Sequence, residues 1–215
     1  NISDDDIMVL PLDMANPESF PKAYKSIIQK FGKVDVLFNN AGISQRSAVS
    51  ETSIEVYEEL MDINFWAPVH LTKLVLSGMK SAGKGHLVVT SSLSGKFGSP
   101  MRSGYCASKH ALHGFFDSLR SEEAKNNVKV SMICPGYINT DISKNALSSD
   151  GQKHGKMDKN QETGLSVETC AIKIVKAIEK NSSEVYLGGK EKMGVYLKRF
   201  FPSLLEKILI NQAPK

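Results

Sequence analysis

The sequence lacks any apolar run approaching the roughly 18 residues of a membrane-spanning helix. Asp4, Asp5 and Asp6 stand near its start, where an export signal has a basic flank. Neither a membrane span nor an export signal is therefore expected. Cysteine is sparse: Cys106, Cys134 and Cys170 form no C-x-x-C pair, and their odd number argues against a disulfide framework or a zinc site. Structural thiols suit a reducing compartment, so a cytoplasmic setting is the expectation. The five histidines have no carboxylate or cysteine at ligand spacing, and no metal site is expected. A surplus of one charge sign is also missing. The 27 Lys and Arg residues are scattered among 23 acids for a net charge of +4, with no basic stripe suited to nucleic acid. Internal repeats, low-complexity tracts and linkers are absent, so 215 residues at 41% hydrophobic read as one domain with a sizeable core.

What the chain does have is alternation. Short apolar runs closing in turn formers occur at "IMVLPLD" (7–13), "VDVLFNNAG" (34–42), "HLVVTSSLSG" (86–95), "VKVSMICPGYINT" (128–140) and "EVYLGG" (184–189). Such runs are the pattern of strands buried on both faces of a parallel sheet. Between them lie amphipathic stretches at 16–32, with an Asn cap, an early Pro and a closing Gly, at 53–83, at 104–127 and at 166–181. The last opens Ser-x-x-Thr and keeps Ala171, Ile174, Val175 and Ile178 on one face. Strand alternating with helix predicts an α/β fold built on one doubly wound parallel sheet.

Ligands bind such sheets beyond the carboxyl ends of the strands. Those ends carry Asp13, then Asn39-Asn40-Ala41-Gly42, then Ser91-Ser92, then Pro135-Gly136. Small, polar, backbone-permissive residues there make a floor that a flat or phosphate-bearing ligand can approach closely. On the third helix Tyr105 and Lys109 fall four positions apart, which alone is an ordinary surface pair. A free phenol is a poor base at neutral pH. A cation held close favours phenolate, and a shift of roughly two units is worth roughly 3 kcal/mol.

Together, "NNAG", the Asn of "MDINFWAP", "SS" ending thirteen residues before a tyrosine, "YCASK" and "PGYINT" resemble the short-chain dehydrogenase/reductase (SDR) family, from about Ile7 to Gly189. The stretch "SSLSGKFGSPMRSGYCASKHALHGFF" is most similar to the hydroxysteroid dehydrogenase-like, DHRS7-like subgroup. The resemblance implies a Rossmann-like fold and an NAD(P)-dependent oxidoreductase that interconverts a secondary alcohol and a ketone or aldehyde by hydride transfer. It implies a lipophilic substrate, NADP slightly favoured over NAD, and a homodimer or homotetramer. By resemblance Tyr105 is the proton donor and acceptor, Lys109 lowers its pKa and holds the nicotinamide ribose, Ser92 steadies the substrate oxygen, and Asn64 carries a relay water to Lys109. Asn64 has a second reading, as a buried amide bonded to backbone. Asp13 and Met14 resemble the adenine contacts, Asn40, Ala41 and Gly42 the stretch lining the adenosine ribose, with Asn39 bracing the sheet, and Pro135, Gly136, Ile138 and Thr140 the loop at the nicotinamide.

One departure stands out. The family opens with a strand and a glycine-rich turn, "TGxxxGxG", whose helix N-terminus receives the pyrophosphate, and this sequence has no such motif. The first run here aligns with the family's third strand, so the expectation is an N-terminally truncated fragment. Residues 1–192 would form a partial Rossmann domain lacking the first two strands and the phosphate loop, weakly stable and by itself inactive. Residues 141–165 fall where the family keeps a mobile substrate lid. Residues 193–215 form a C-terminal amphipathic extension, whose apolar, Lys- and Arg-bearing stretch at 193–212 leaves open a dimer contact, a peripheral membrane contact or packing on its own domain. Two other functions remain open, a non-catalytic dinucleotide-sensing scaffold and a sugar-nucleotide epimerase of the same superfamily.

Overall fold

The structure, a computed structural model, describes residues 3–211. In chain order its elements are α1 (Phe20–Phe31), β1 (Val36–Asn39), α2 (Ile54–Met61), α3 (Ala67–Ser81), β2 (Gly85–Thr90), α4 (Ser103–Glu122), β3 (Val128–Pro135), α5 (Lys159–Glu162), α6 (Val167–Glu179), β4 (Glu184–Leu187), α7 (Met193–Phe200) and α8 (Pro202–Ile210). The strands form one parallel four-stranded sheet in the order β1-β2-β3-β4. This is the α/β sheet that the alternation predicts, because parallel neighbours need a crossover and a helix supplies it.

The period of two along β2 and β3 sorts the core. Leu87 and Val89 of β2, with Val130 and Met132 of β3, face α3 and α4 and pack on Val75, Met79, Leu112 and Phe116. Val88 and Ile133 point the other way, against Cys170 and Ala177 of α6. Both inner strands are thus covered twice, which is why their sequences read as continuous apolar runs. β1 is covered on one side only, and its Val36 and Phe38 are 47% and 39% exposed.

Four of the five expected strands form; "IMVLPLD" does not. Residues 7–13 run irregularly, with Val9 83% exposed. An apolar run becomes a strand only beside a partner ladder, and among the described residues no strand lies along the free edge of β1. Pro11 also lacks the N–H that a ladder needs.

The helix expected over 53–83 is continuous in path but not uniform. α2 and α3 are joined by a π-helical stretch, Asp62–Trp66, that carries Asn64. Such wide turns are frequent at functional sites because they rotate one side chain out of the helical register. α6 begins as its Ser-x-x-Thr start implies, the Ser166 hydroxyl accepting the Thr169 N–H at 3.2 Å. Its expected apolar face is only partly covered: Val175 remains 53% exposed, while Cys170 and Ala177 enter the core.

The segment 141–165 carries buried residues and backbone bonds to the loop after β1. Leu147 exchanges backbone hydrogen bonds with the loop after β1, donating to Ser44 O and accepting from Arg46 N, both at 2.8 Å. Ala146 and Ser143 are fully buried. In the C-terminal helices only Gly194 and Leu205 are buried, and Phe200 and Phe201 are 68% and 64% exposed. Residues 212–215 of the expected extension lie outside the described residues. No described helix is long and apolar enough to cross a membrane.

Phe116 has no exposed surface and joins α4 to the β2–β3 face. Replacing it with Ala should lower the unfolding free energy by about 3–5 kcal/mol, read as a lower urea midpoint at unchanged slope.

Candidate active site

The approach of α4 to α2 decides where the site forms. A Cβ on Gly104 would lie 2.7 Å from Tyr57 Cδ1 and 2.8 Å from Leu60 Cδ1, so only glycine lets the first turn of α4 settle there. The buried side-chain oxygen of Gln45 accepts the Gly104 N–H at 2.8 Å and fixes that turn beside the loop after β1. Tyr105 and Lys109, one turn apart, then face the carboxyl end of β2. Together with Ser92 they line one cavity of about 530 Å³.

Ser92 follows β2 in extended backbone and is 7% exposed. Its hydroxyl accepts the Ser94 N–H at 3.1 Å and donates to the Pro135 carbonyl at 3.3 Å, which holds it at the strand end. Tyr105 is 9% exposed. Burial pushes its phenol pKa up, and the side chain of Ser92, then the guanidiniums of Arg46 and Arg102, pull it back. The Lys109 ammonium donates to the Thr90 carbonyl at 2.8 Å and lies over the tyrosine ring, 5.9 Å from its centre. Burial also lowers the pKa of Lys109 itself, to about 8.

Asn64 is fully buried, with every amide atom engaged. Its Oδ1 accepts the Ile43 N–H at 2.9 Å, and its Nδ2 donates to Ile43 O and to Ser108 Oγ, both at 3.0 Å. The side chain therefore clamps the loop after β1 to α4. This is the backbone bonding that its second reading describes. Asn39 donates to Thr72 at 3.4 Å, leaving its own Oδ1 unpaired.

Of the cofactor candidates, Asn40, Gly42, Pro135, Gly136, Ile138 and Thr140 share the cavity wall with Ser92, Tyr105 and Lys109. Ala41 is exposed beside them. Asp13 and Met14 are not part of that wall. They sit in the irregular segment before α1, where Asp13 caps the Ala15 N–H at 2.9 Å. The adenine end of the expected set is therefore not assembled, because the strand that would carry Asp13 to the sheet does not form.

Sequence reasoning missed two clusters. Asp158, in the segment 141–165, receives Arg46 Nε at 3.0 Å and Nη2 at 2.6 Å, and Arg102 Nη2 at 2.8 Å. Arg46 lies four residues beyond Gly42 and Arg102 three before Tyr105, so proximity to the motifs was a usable signal. Asp158 had none. Behind the site, His113 Nε2 meets Ser91 Oγ at 3.0 Å, and Ser91 Oγ reaches the Lys109 carbonyl at 3.2 Å. Burial lowers the His113 pKa to about 4, which keeps the ring neutral near neutral pH.

Comparison with known proteins bears on family and fold. The profile of the family described as short chain dehydrogenase matches residues 1–151. The mouse protein called dehydrogenase/reductase SDR family member 7B is 42% identical over 208 residues, covering 96% of this chain. The chain spans 64% of that relative's length. A short chain dehydrogenase/reductase from Burkholderia phymatum, solved in complex with NAD, superposes with a TM-score of 0.79 at 21% identity, over 93% of this chain and 77% of its own, and so shares the fold. An alcohol dehydrogenase from the archaeon Thermococcus sibiricus, complexed with 5-hydroxy-NADP, gives 0.68 at 25% identity, over 83% and 73%.

Lys109 should leave a signature in stability. Its pKa falls from 10.5 to about 8 on folding, so between those values the unfolded chain binds the extra proton and stability rises with pH. The rise should be roughly 3 kcal/mol and complete by about pH 10.5. Urea unfolding of the wild type and of Lys109→Met across that window measures it; the variant should lack the rise.

Proposed function

The chain belongs to the short-chain dehydrogenase family, and on that footing we propose that its site interconverts a secondary alcohol and a ketone or aldehyde with a nicotinamide dinucleotide. The observation that carries this reading is the meeting of Ser92, Tyr105 and Lys109 on one largely apolar cavity at the end of β2. Hydride movement at a carbinol carbon requires its oxygen to gain or lose a proton in step, so an acid/base must touch that oxygen. Tyr105 supplies the proton. Ser92, held by Pro135 and Ser94, hydrogen-bonds the same oxygen as charge develops on it. The apolar wall contributed by α6, Ala171, Ile174 and Val175, suits a lipophilic substrate.

The wall fits the nicotinamide end of the dinucleotide. A Cβ at Gly42 would stand 3.0 Å from Asn64 Oδ1 and 3.3 Å from Lys109 Nζ, so that backbone must stay bare for a sugar to reach the ammonium. Lys109, Asn40 and the 135–140 loop would hold the nicotinamide riboside, and the bound dinucleotide supplies or accepts the hydride. The pyrophosphate end has no counterpart, since the sequence has no glycine-rich turn, and Asp13, the adenine candidate, stands apart. NAD and NADP are both carried into this proposal, with NADP slightly favoured by subgroup resemblance.

Two measurements test the reading. In the protein at the length of its relatives, Tyr105→Phe should reduce NAD(P)H-linked turnover of a carbonyl panel by about a hundredfold or more with the circular dichroism unchanged. Full activity in that variant would end the proposal, and no turnover in the parent would favour a dinucleotide-sensing scaffold. For the 215-residue chain itself, NADPH fluorescence titration should show no saturable binding at micromolar concentrations. Saturation there would contradict the partial fit.

A further inference from the structure

Among the described residues that line the cavity there is one acid, Glu191, in the short 3-10 turn Lys190–Lys192 after β4. The cations on the same wall are engaged elsewhere, Arg46 and Arg102 with Asp158 and Lys109 with the Thr90 carbonyl. No ion pair reaches Glu191 among the described residues, although Lys190 and Lys192 flank it in sequence. Backbone holds it instead. Its Oε1 accepts the Gly189 N–H at 2.9 Å and the Tyr137 N–H at 3.2 Å, so the carboxylate bridges the end of β4 to the 135–140 loop. Its Oε2 makes no hydrogen bond among the described residues. Glycine makes the approach possible: a Cβ on Gly136 or on Gly188 would run into Oε1 and push the carboxylate off the strand ends.

Two neutral amides steady a half-buried carboxylate but leave its charge uncompensated, and the cavity is where a complementary cation would sit. The two redox states of a nicotinamide dinucleotide differ in this respect, since the oxidised ring is a pyridinium cation and the reduced ring is neutral. We propose that Glu191 tells the two states apart, its carboxylate stabilising the cationic ring at the loop it holds and giving the neutral ring no such preference. This deepens the reading of the cavity as a dinucleotide site and rests on it. A group that binds one state better shifts the equilibrium between them by its differential affinity. Tighter holding of the oxidised form favours passage of the hydride from the reduced ring to the carbonyl carbon, whose oxygen takes its proton from Tyr105.

Direct binding of each form separates the charge from the clamp. In the protein at the length of its relatives, calorimetric titration with the oxidised and with the reduced dinucleotide gives two dissociation constants and their ratio. Glu191→Gln keeps an oxygen for the Tyr137 and Gly189 amides and loses the charge; it should weaken the oxidised form by about tenfold and leave the reduced form within about twofold. Glu191→Asp keeps the charge and should keep the wild-type ratio, even where both forms bind more weakly. In the wild type itself, salt at about 1 M should move the ratio toward the reduced form, since the carboxylate is half-exposed. A clamp without electrostatic effect would shift both forms together in every variant. An unchanged ratio in Glu191→Gln with its fold intact by circular dichroism, or a wild-type ratio that salt leaves alone, would overturn the proposal and leave the dinucleotide site standing. Failure of the wild type to bind either form would end the dinucleotide reading and this inference with it.

Discussion

The site depends on an amine carried into the protein interior. Lys109 is 3% exposed, and removing an ammonium from water is expensive unless something replaces its hydration. The Thr90 carbonyl, at the last residue of β2, is the hydrogen-bond acceptor provided. That one bond ties α4 to the strand end, and it requires everything around it to be placed accurately. Gly42 must lack a side chain so that its loop passes over the amine. Asn64 must hold that loop, and Gly104 must let α4 descend against α2. The residual desolvation shows as a depressed Lys109 pKa.

The cavity is consequently two-sided. On the side of β1 and the 135–140 loop it is lined by bare backbone, small residues and one poorly hydrated amine, a surface that a ribose and a flat ring can approach. Elsewhere its wall carries the Arg46 and Arg102 guanidiniums, both paired with Asp158 of the 141–165 segment. Tyr105 and Ser92 stand between. Burial alone would make the phenol a weaker acid than it is in water. The side chain of Ser92 and the guanidiniums of Arg46 and Arg102 oppose that shift.

Asn64 illustrates how backbone geometry and site chemistry interlock. An α-helix running straight from α2 into α3 would keep its side chains in strict rotation. The π-helical stretch inserts extra turn at Asp62–Trp66, so Asn64 faces inward and satisfies both backbone groups of Ile43. A buried amide with all its partners is stabilising; the same amide without them would be among the worst residues to bury.

How much was legible in the residues differs from element to element, for physical reasons. β2 and β3 were plain because strands buried on both faces need unbroken apolar runs, and α6 announced its own start through the Ser166 cap. Tyr105, Lys109 and Ser92 stood out because their chemistry requires fixed residue types at fixed spacing. The run at 7–13 has the same local character as those strands and yet stays irregular, since a strand exists only by pairing and composition does not supply the neighbour. Asp158 could not be found at all: its place comes from a segment that returns across more than a hundred residues to meet Arg46. The sequence by itself determined the order of the four strands that form and of the helices between them, and it singled out Tyr105, Lys109 and Ser92, because periodicity and motif spacing are local. Tertiary structure alone decided which charges surround the phenol and where the lysine points, because electrostatic fields and desolvation depend on distance through space and not on distance along the chain.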